Sequence, residues 1–321
     1  MSPLADFARI PVIAIIGPTA VGKTALSLLL AERIGAEIVS VDSRQVYRYL
    51  DVGTDKISAD LRRQVIHHLI DVSDPDEVFS AADFVVLARD AVRRMTERGR
   101  IPLFVGGTPF YFEALFGSTL SDQLPKDEGL RRELEGIAQL EGREALHGML
   151  RAVDGETADR LHPNDVRRVV RSLEIYRLTG RPASELYRTN EKMEPSRPYD
   201  VLYIGLNRQR KLLFETIKRR VREQFAAGYV DEVAWLLSKG FDERFPSMQG
   251  FGYREILEHL RGACTLEEAM DRDASKTKAF SRRQMTWFSK FSPAVWYDTT
   301  CRSVPDLADE VEREVRAHLE R

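Results

Sequence analysis

Ile10-Pro-Val-Ile-Ala-Ile-Ile16 runs directly into Gly17-Pro-Thr-Ala-Val-Gly-Lys-Thr24, and a helix pattern follows over Ala25 to Ile34. The apolar run is short, β-branched and free of polar residues, as expected of a strand buried on both faces of a parallel sheet. The eight residues after it fit G-x-x-x-x-G-K-[ST] at every fixed position, between a strand and a helix. That context predicts a phosphate loop made of Gly17, Pro18, Thr19, Ala20, Val21, Gly22, Lys23 and Thr24. Its amides converge on an anion at a helix N-terminus. Lys23 bridges phosphates, and the Thr24 hydroxyl holds Mg²⁺. The motif specifies a diphosphate or triphosphate, not a nucleotide.

Further along, Glu37 to Val41 is a second apolar run, ending at Asp42. Ser80, with Asp83 three residues on, marks the start of a helix reaching about Arg98. Ile101 to Val105 is a third strand, ending at Gly106-Gly107-Thr108. Alternating strands and helices predict an α/β fold: a parallel core of the P-loop NTPase type with helices on both faces. Ligands of such sheets bind beyond the carboxyl ends of the strands. Asp42 and Thr108 therefore belong to the same crevice as the phosphate loop. Asp42 there is a general base, a magnesium ligand or a helix cap. Two glycines before Thr108 permit close backbone approach to a ligand.

From Asp127 to about Arg188 no strand pattern occurs. Helix patterns cover Glu128 to Leu150 and Val166 to Thr179, the second closed by Gly180. This predicts a helical insertion domain over 121–200, set into a core of 1–120 and 201–321. The core resumes with a strand at Val201 to Leu206, helices over Gln209 to Ala227, Val230 to Lys239 and Leu266 to Phe288, a short strand at Ala294 to Tyr297 and a terminal helix. His162-Pro-Asn-Asp165 reads as a turn and N-cap. His67-His68 resembles a metal pair, but neighbours on a strand face opposite ways, so structural histidines are expected.

The net charge of −2 does not suggest a nucleic-acid binder, but basic residues concentrate in Arg160–Arg181, Arg208–Arg222 and Arg272–Lys290. Screening makes local concentration matter more than the sum. Cys264 and Cys301 are the only cysteines, without the spacing of a zinc site or disulfide framework. No stretch approaches a membrane span or a signal peptide, so a cytoplasmic protein is expected.

Together these segments resemble the bacterial tRNA dimethylallyltransferase (tRNA isopentenyltransferase) family over nearly the whole chain, from Ile13 to about Phe291. The carrying motifs are the phosphate loop, Asp42-Ser-Arg-Gln-Val-Tyr47, His67-His-Leu-Ile-Asp71, Val105-Gly-Gly-Thr108, His162-Pro-Asn-Asp165 leading into Arg168 and Arg171, Met248-Gln-Gly-Phe-Gly-Tyr253 and Arg282-Arg-Gln-Met-Thr-Trp287. The resemblance implies transfer of a dimethylallyl group from dimethylallyl diphosphate to N6 of the adenosine 3′-adjacent to the anticodon of tRNA; Mg²⁺ at Thr24 and a monomer are expected beside it. It implies catalytic roles for Asp42 as base and for Thr108 and Arg220 at the diphosphate. It implies tRNA contacts from Asp42, Ser43, Arg44, Gln45 and Thr108, from Val166, Arg167, Arg168, Val169, Val170 and Arg171, and from Met248, Gln249, Gly250, Phe251, Gly252 and Tyr253. Within this set, Ser43 and Gln45 are placed to read a flipped-out adenine, and Arg167 and Arg171 share a helix face suited to RNA phosphates.

The chain departs from the family at Pro109-Phe110, where a small or aliphatic pair is usual, and at Thr216, where arginine is frequent. The C-terminal zinc finger of eukaryotic members has no counterpart. Two other P-loop activities share this core: a small-molecule kinase and prenylation of a free adenine nucleotide. The helical block and basic stretches favour tRNA over both. A guanine-binding N-K-x-D is absent, since Asn190-Glu-Lys-Met does not match.

Overall fold

A computed structural model describes residues 9–117, 124–192 and 198–321. It divides into two compact units, 1–115 with 198–321, and 116–197. The expected start of the insertion, at residue 121, lies outside the described residues, and its expected end, at Asp200, falls within the strand Tyr199–Asn207.

In the first unit the chain forms β1 (Ile10–Ile16), α1 (Lys23–Ile34), β2 (Ala36–Val41), α2 (Ala59–Gln64), β3 (His67–His68), α3 (Ala81–Glu97), β4 (Ile101–Gly106) and α4, which starts at Pro109 and ends at Phe116. In the second unit follow α5 (Glu128–Leu140), α6 (Arg143–Val153), α7 (Gly155–Arg160), α8 (Val166–Thr179) and α9 (Ala183–Lys192). The first unit then resumes with β5 (Tyr199–Asn207), α10 (Arg210–Ala226), α11 (Tyr229–Ser238), α12 (Tyr253–Leu260), α13 (Leu266–Phe288), β6 (Ala294–Asp298) and α14 (Val304–Leu319).

All six strands pair in parallel, in the order β3-β2-β4-β1-β5-β6. β1 is central because its residues are fully apolar: Val12 to Ile16 are completely buried. Ile13 and Ile15 join Leu26 and Leu30 of α1 and Val311 of α14 in one core cluster. Strand alternation turns Ala14 and Ile16 to the other face, and α3 packs against β2 and β4. The doubly covered parallel sheet is thus as expected. A second cluster, outside the sheet, joins Val46, Tyr47 and Leu50 to Tyr229, Val233, Met248, Tyr253 and Ile256.

Ser80 caps α3 with the full reciprocal arrangement, its side chain accepting from the Asp83 amide. β5 is longer than expected by two residues at its start and one at its end. The sequence pattern misses α12 altogether, because its eight residues are too few to show a clear period. In the second unit, the single helix expected over Glu128 to Leu150 is two. Gly142, at φ 96°, ends one and opens the next, a left-handed setting that no other residue type adopts cheaply. Asp165 occupies the N-cap of α8 without a side-chain capping bond. Instead its carboxylate lies 3.3 Å from Arg168. The α5–α8 core is built on Leu134, Leu146, Leu150, Val169, Val170 and Leu173.

Candidate active site

The carboxyl ends of β1, β2 and β4 open into a cavity of about 660 Å³, walled on the far side by α10 and α13. Parallel strands place every loop of this kind at one edge, which is why the phosphate loop, Asp42 and Thr108 meet there. All three line the cavity, with Ser43, Arg44, Gln45 and Arg220.

The phosphate loop holds its own lysine. Lys23 Nζ donates to the carbonyls of Gly17 (2.9 Å) and Pro18 (2.7 Å). Burial, and then the neighbouring Arg220 charge, push its pKa down to about 7, against the pull of Asp42. A lysine so poised is readily recharged by an incoming anion. Arg220 on α10 donates to Thr19 Oγ1 at 3.0 Å and lies 3.1 Å from Asp55 Oδ2. Thr24 is exposed at the start of α1 and faces the same cavity.

Asp42 follows the last residue of β2. Its Oδ1 accepts from the amides of Arg44 (2.8 Å) and Gln45 (3.3 Å), so it caps the turn with one oxygen. The other oxygen has no hydrogen-bond donor among the described residues. Thr108 Oγ1 accepts from the Ser43 amide at 3.1 Å, and Thr108 N donates to Val41 O at 3.2 Å. β2 and β4 are thereby laced together at the site. Pro109 stands at the first position of α4, where the missing amide hydrogen costs nothing. The Pro109-Phe110 departure therefore leaves Thr108 in its turn.

Several residues of the expected set serve the fold. Gln45 is committed at both ends: Oε1 accepts from Ser40 Oγ (3.1 Å), and Nε2 donates to the carbonyls of Thr54 (3.2 Å) and Asp55 (3.4 Å). It buckles the Asp42 turn to loop 50–56, so in this arrangement it has no free edge with which to read a base. Arg44 Nη1 donates to Pro246 O (2.9 Å) and Ser247 O (2.7 Å), fixing the turn before Met248. Met248 and Tyr253 are buried in the cluster with Val46, while Phe251 and Tyr253 reach the cavity wall. On α8, Val169 and Val170 are core residues. Arg171 lies 2.5 Å from the wholly buried Glu174 and donates to Pro125 O at 2.9 Å. Arg167 is exposed. At Thr216 the hydroxyl accepts from Arg208 Nη1 at 3.3 Å, so a cation reaches this place from the end of β5.

The histidine pair diverges as expected. His68 Nε2 lies 2.7 Å from Glu37, and His67 Nδ1 lies 2.7 Å from Val65 O. No group of three or more potential ligating side chains of the His, Cys, Asp and Glu types occurs among the described residues. A magnesium ion carried in with phosphates needs fewer, because it keeps waters and takes one or two protein oxygens. Thr24 and Asp42, hard oxygen donors on one cavity, suit it.

Two residues of the site were not singled out from the sequence. Gln284 on α13 accepts from Thr19 N at 2.9 Å and donates to Gly107 O at 2.6 Å. A Cβ at Gly107 would stand 2.5 Å from Gln284 Nε2, so a side chain here would push the Gln284 carboxamide from this place. Asp273, four residues before Thr277 on the same helix, is almost completely buried in the cavity wall. Burial raises its pKa to about 7, opposed by a hydrogen bond from Thr277. Asp273, Thr277, Phe280 and Gln284 follow a helical spacing, and that stripe was the available signal.

A P-loop α/β enzyme whose cradle opens on an aspartate, a threonine and an arginine is what the fold and site define. The family model for IPP transferase matches residues 45–291. The chain is 43% identical over 300 residues to the tRNA dimethylallyltransferase of Dictyoglomus turgidum, covering 94% of this chain and 91% of that one. Among solved structures, the full-length tRNA isopentenylpyrophosphate transferase of Bacillus halodurans superposes with a TM-score of 0.73 at 38% identity, over 98% and 97% of the two chains. A eukaryotic dimethylallyltransferase acting on tRNA gives 0.78 at 28% identity, over 91% of this chain and 74% of the other. The chain belongs to the IPP transferase family. No helix among the described residues is long and apolar enough to cross a membrane.

Proposed function

We propose that the protein transfers a dimethylallyl group from dimethylallyl diphosphate to N6 of the adenosine 3′-adjacent to the anticodon of tRNA, releasing diphosphate. The observation that carries this reading is that Asp42, with one carboxylate oxygen accepting no hydrogen bond among the described residues, lines the same cavity as the phosphate cradle. It is supported by a relative named tRNA dimethylallyltransferase and by a structural neighbour described as a dimethylallyltransferase acting on tRNA.

The exocyclic amine of adenine is a weak nucleophile because its lone pair is delocalised into the ring. Asp42 takes the N6 proton as the C–N bond forms, a contribution of about 10²–10⁴ in rate. Its capped Oδ1 fixes the carboxylate, leaving the second oxygen for the substrate. As the C–O bond of the isoprenoid breaks, charge grows on the diphosphate. The phosphate loop, Lys23, Thr108 and Arg220 line that cavity together and are the donors that stabilise this charge once the diphosphate is bound. Thr24 would hold Mg²⁺, which when bound would supply positive charge to the leaving group. Arg167 and Arg168 contribute phosphate contacts, which position RNA without reading its sequence.

A kinase with the same core consumes ATP. With dimethylallyl diphosphate and Mg²⁺ but no ATP, the protein is expected to release diphosphate in the presence of tRNA, and Lys23→Ala and Thr24→Ala are expected to cripple that release. An absolute need for ATP, with ADP as product, would refute the reading.

A further inference from the structure

Glu232 lies on α11, outside the cavity lining, yet its carboxylate is the most heavily bonded one near the site. Oε2 accepts from the amides of Asp51 (2.7 Å) and Val52 (2.6 Å), and Oε1 from the amide of Gly53 (3.1 Å) and the hydroxyl of Tyr253 (2.7 Å). Three successive backbone amides turned on one anion form a nest, a strong and directional arrangement. Gly53 is obligatory in it: a Cβ there would stand 2.2 Å from the Tyr229 ring.

The far side of the same loop faces the chemistry. The carbonyls of Thr54 and Asp55 receive the Gln45 carboxamide, and Gln45 N donates to Asp42 Oδ1. The Asp55 carboxylate holds Arg220, which reaches Thr19 of the phosphate loop. Gln224 Nε2 closes the loop from α10, donating to Val52 O (3.0 Å) and Gly53 O (3.2 Å). Hydrogen bonds joined by the backbone of residues 51–55 thus connect one carboxylate to both halves of the reaction centre.

We propose that Glu232 is a positioning residue: by anchoring amides 51–53 it sets loop 50–56, and through it the orientation of Asp42 and of Arg220. This rests on the transferase reading for the roles of Asp42 and Arg220, but not for the geometry. Glu232→Gln keeps shape and replaces one accepting oxygen by a donor that faces donors. Small misplacements remote from the reacting atoms cost about 10²-fold in rate. The loss falls on kcat, with the KM for tRNA nearly unchanged, since neither Glu232 nor its loop forms a helix face for RNA.

The test compares wild type, Glu232→Gln, Gln45→Ala and the double variant. The measurements are kcat and KM for dimethylallyl transfer to tRNA and, separately, calorimetric affinity for inorganic diphosphate with Mg²⁺. Expected are a kcat reduced by roughly 10–10², a double variant losing less than the product of the single losses, and diphosphate affinity several-fold weaker through Arg220. Unchanged kcat and diphosphate affinity, or strictly multiplicative losses, would overturn the proposal. Should Glu232→Gln not fold, as judged by circular dichroism, Glu232→Asp carries the same comparisons, its shorter arm being unable to reach all four donors. If the wild type binds diphosphate but alkylates no tRNA, the transferase reading fails, and the diphosphate arm still decides for or against Glu232.

Discussion

The side chain of Gln284 and the amide of Thr19, 265 residues apart in the chain, are joined at 2.9 Å. Because the same carboxamide donates to Gly107 O, one residue of α13 sets the phosphate loop against the Thr108 turn. Gln284→Ala leaves the half-buried Thr19 amide and the buried Gly107 carbonyl without this partner, and the buried carbonyl alone costs about 1–3 kcal/mol. The expected result is a lower melting temperature and a raised KM for dimethylallyl diphosphate, with tRNA affinity unchanged. Steady-state kinetics with each substrate varied in turn checks this.

Asp42 has two duties, and two substitutions separate them. Asp42→Asn retains an oxygen for the Arg44 and Gln45 amides but cannot take a proton. Asp42→Ala loses both. Turnover is expected to fall by about 10²–10⁴ in both variants, and melting temperature mainly in the alanine variant. Near-normal turnover of Asp42→Asn would leave Asp42 only its capping role.

Lys23 makes diphosphate binding depend on pH. In the free protein its pKa is about 7, so above neutrality much of it is uncharged. Bound diphosphate favours the charged form and raises that pKa. Binding therefore takes up a proton, and affinity falls as pH rises from about 7, by up to tenfold per unit. Calorimetry in buffers of different ionisation enthalpy measures the proton directly. Lys23→Arg, charged throughout, is expected to lose this pH dependence.

Arg167 and Arg171 look equivalent from their spacing, but only one is solvent-facing. Arg171 pairs with Glu174, whose carboxylate also lies 3.0 Å from Arg131 and accepts from the Asp127 amide at 2.7 Å. Arg171→Ala is expected to destabilise the α5–α8 unit by about 1–3 kcal/mol, because the buried carboxylate loses a partner. Arg167→Ala is expected to leave stability alone and to lower the salt slope of tRNA binding by about 0.7–0.9. Thermal unfolding and binding at several salt concentrations separate the two outcomes.

These residues also mark how far the sequence reaches. The phosphate loop, Asp42 and Thr108 are legible because their placement follows from local pattern: each ends a buried strand, and parallel strands end at one edge. Gln284 and Glu232 are not, because their partners lie in distant loops and a lone polar residue on a helix reads as solvated surface. Gln45 was legible as a site residue but not as a buckle, since loop 50–56 has no periodicity to announce its fold. The break at Gly142 is not legible, because the apolar spacing continues across it.

The central claim is the identity of acceptor and donor. Dimethylallyl diphosphate carrying a radiolabel in its prenyl group is incubated with the protein, Mg²⁺ and unmodified tRNA, and the tRNA is digested to nucleosides. The account predicts label in a single nucleoside, an N6-alkylated adenosine, lost when the adenosine beside the anticodon is replaced by another base. Label confined to free AMP or ADP, or absent from RNA while ATP is consumed, would contradict it.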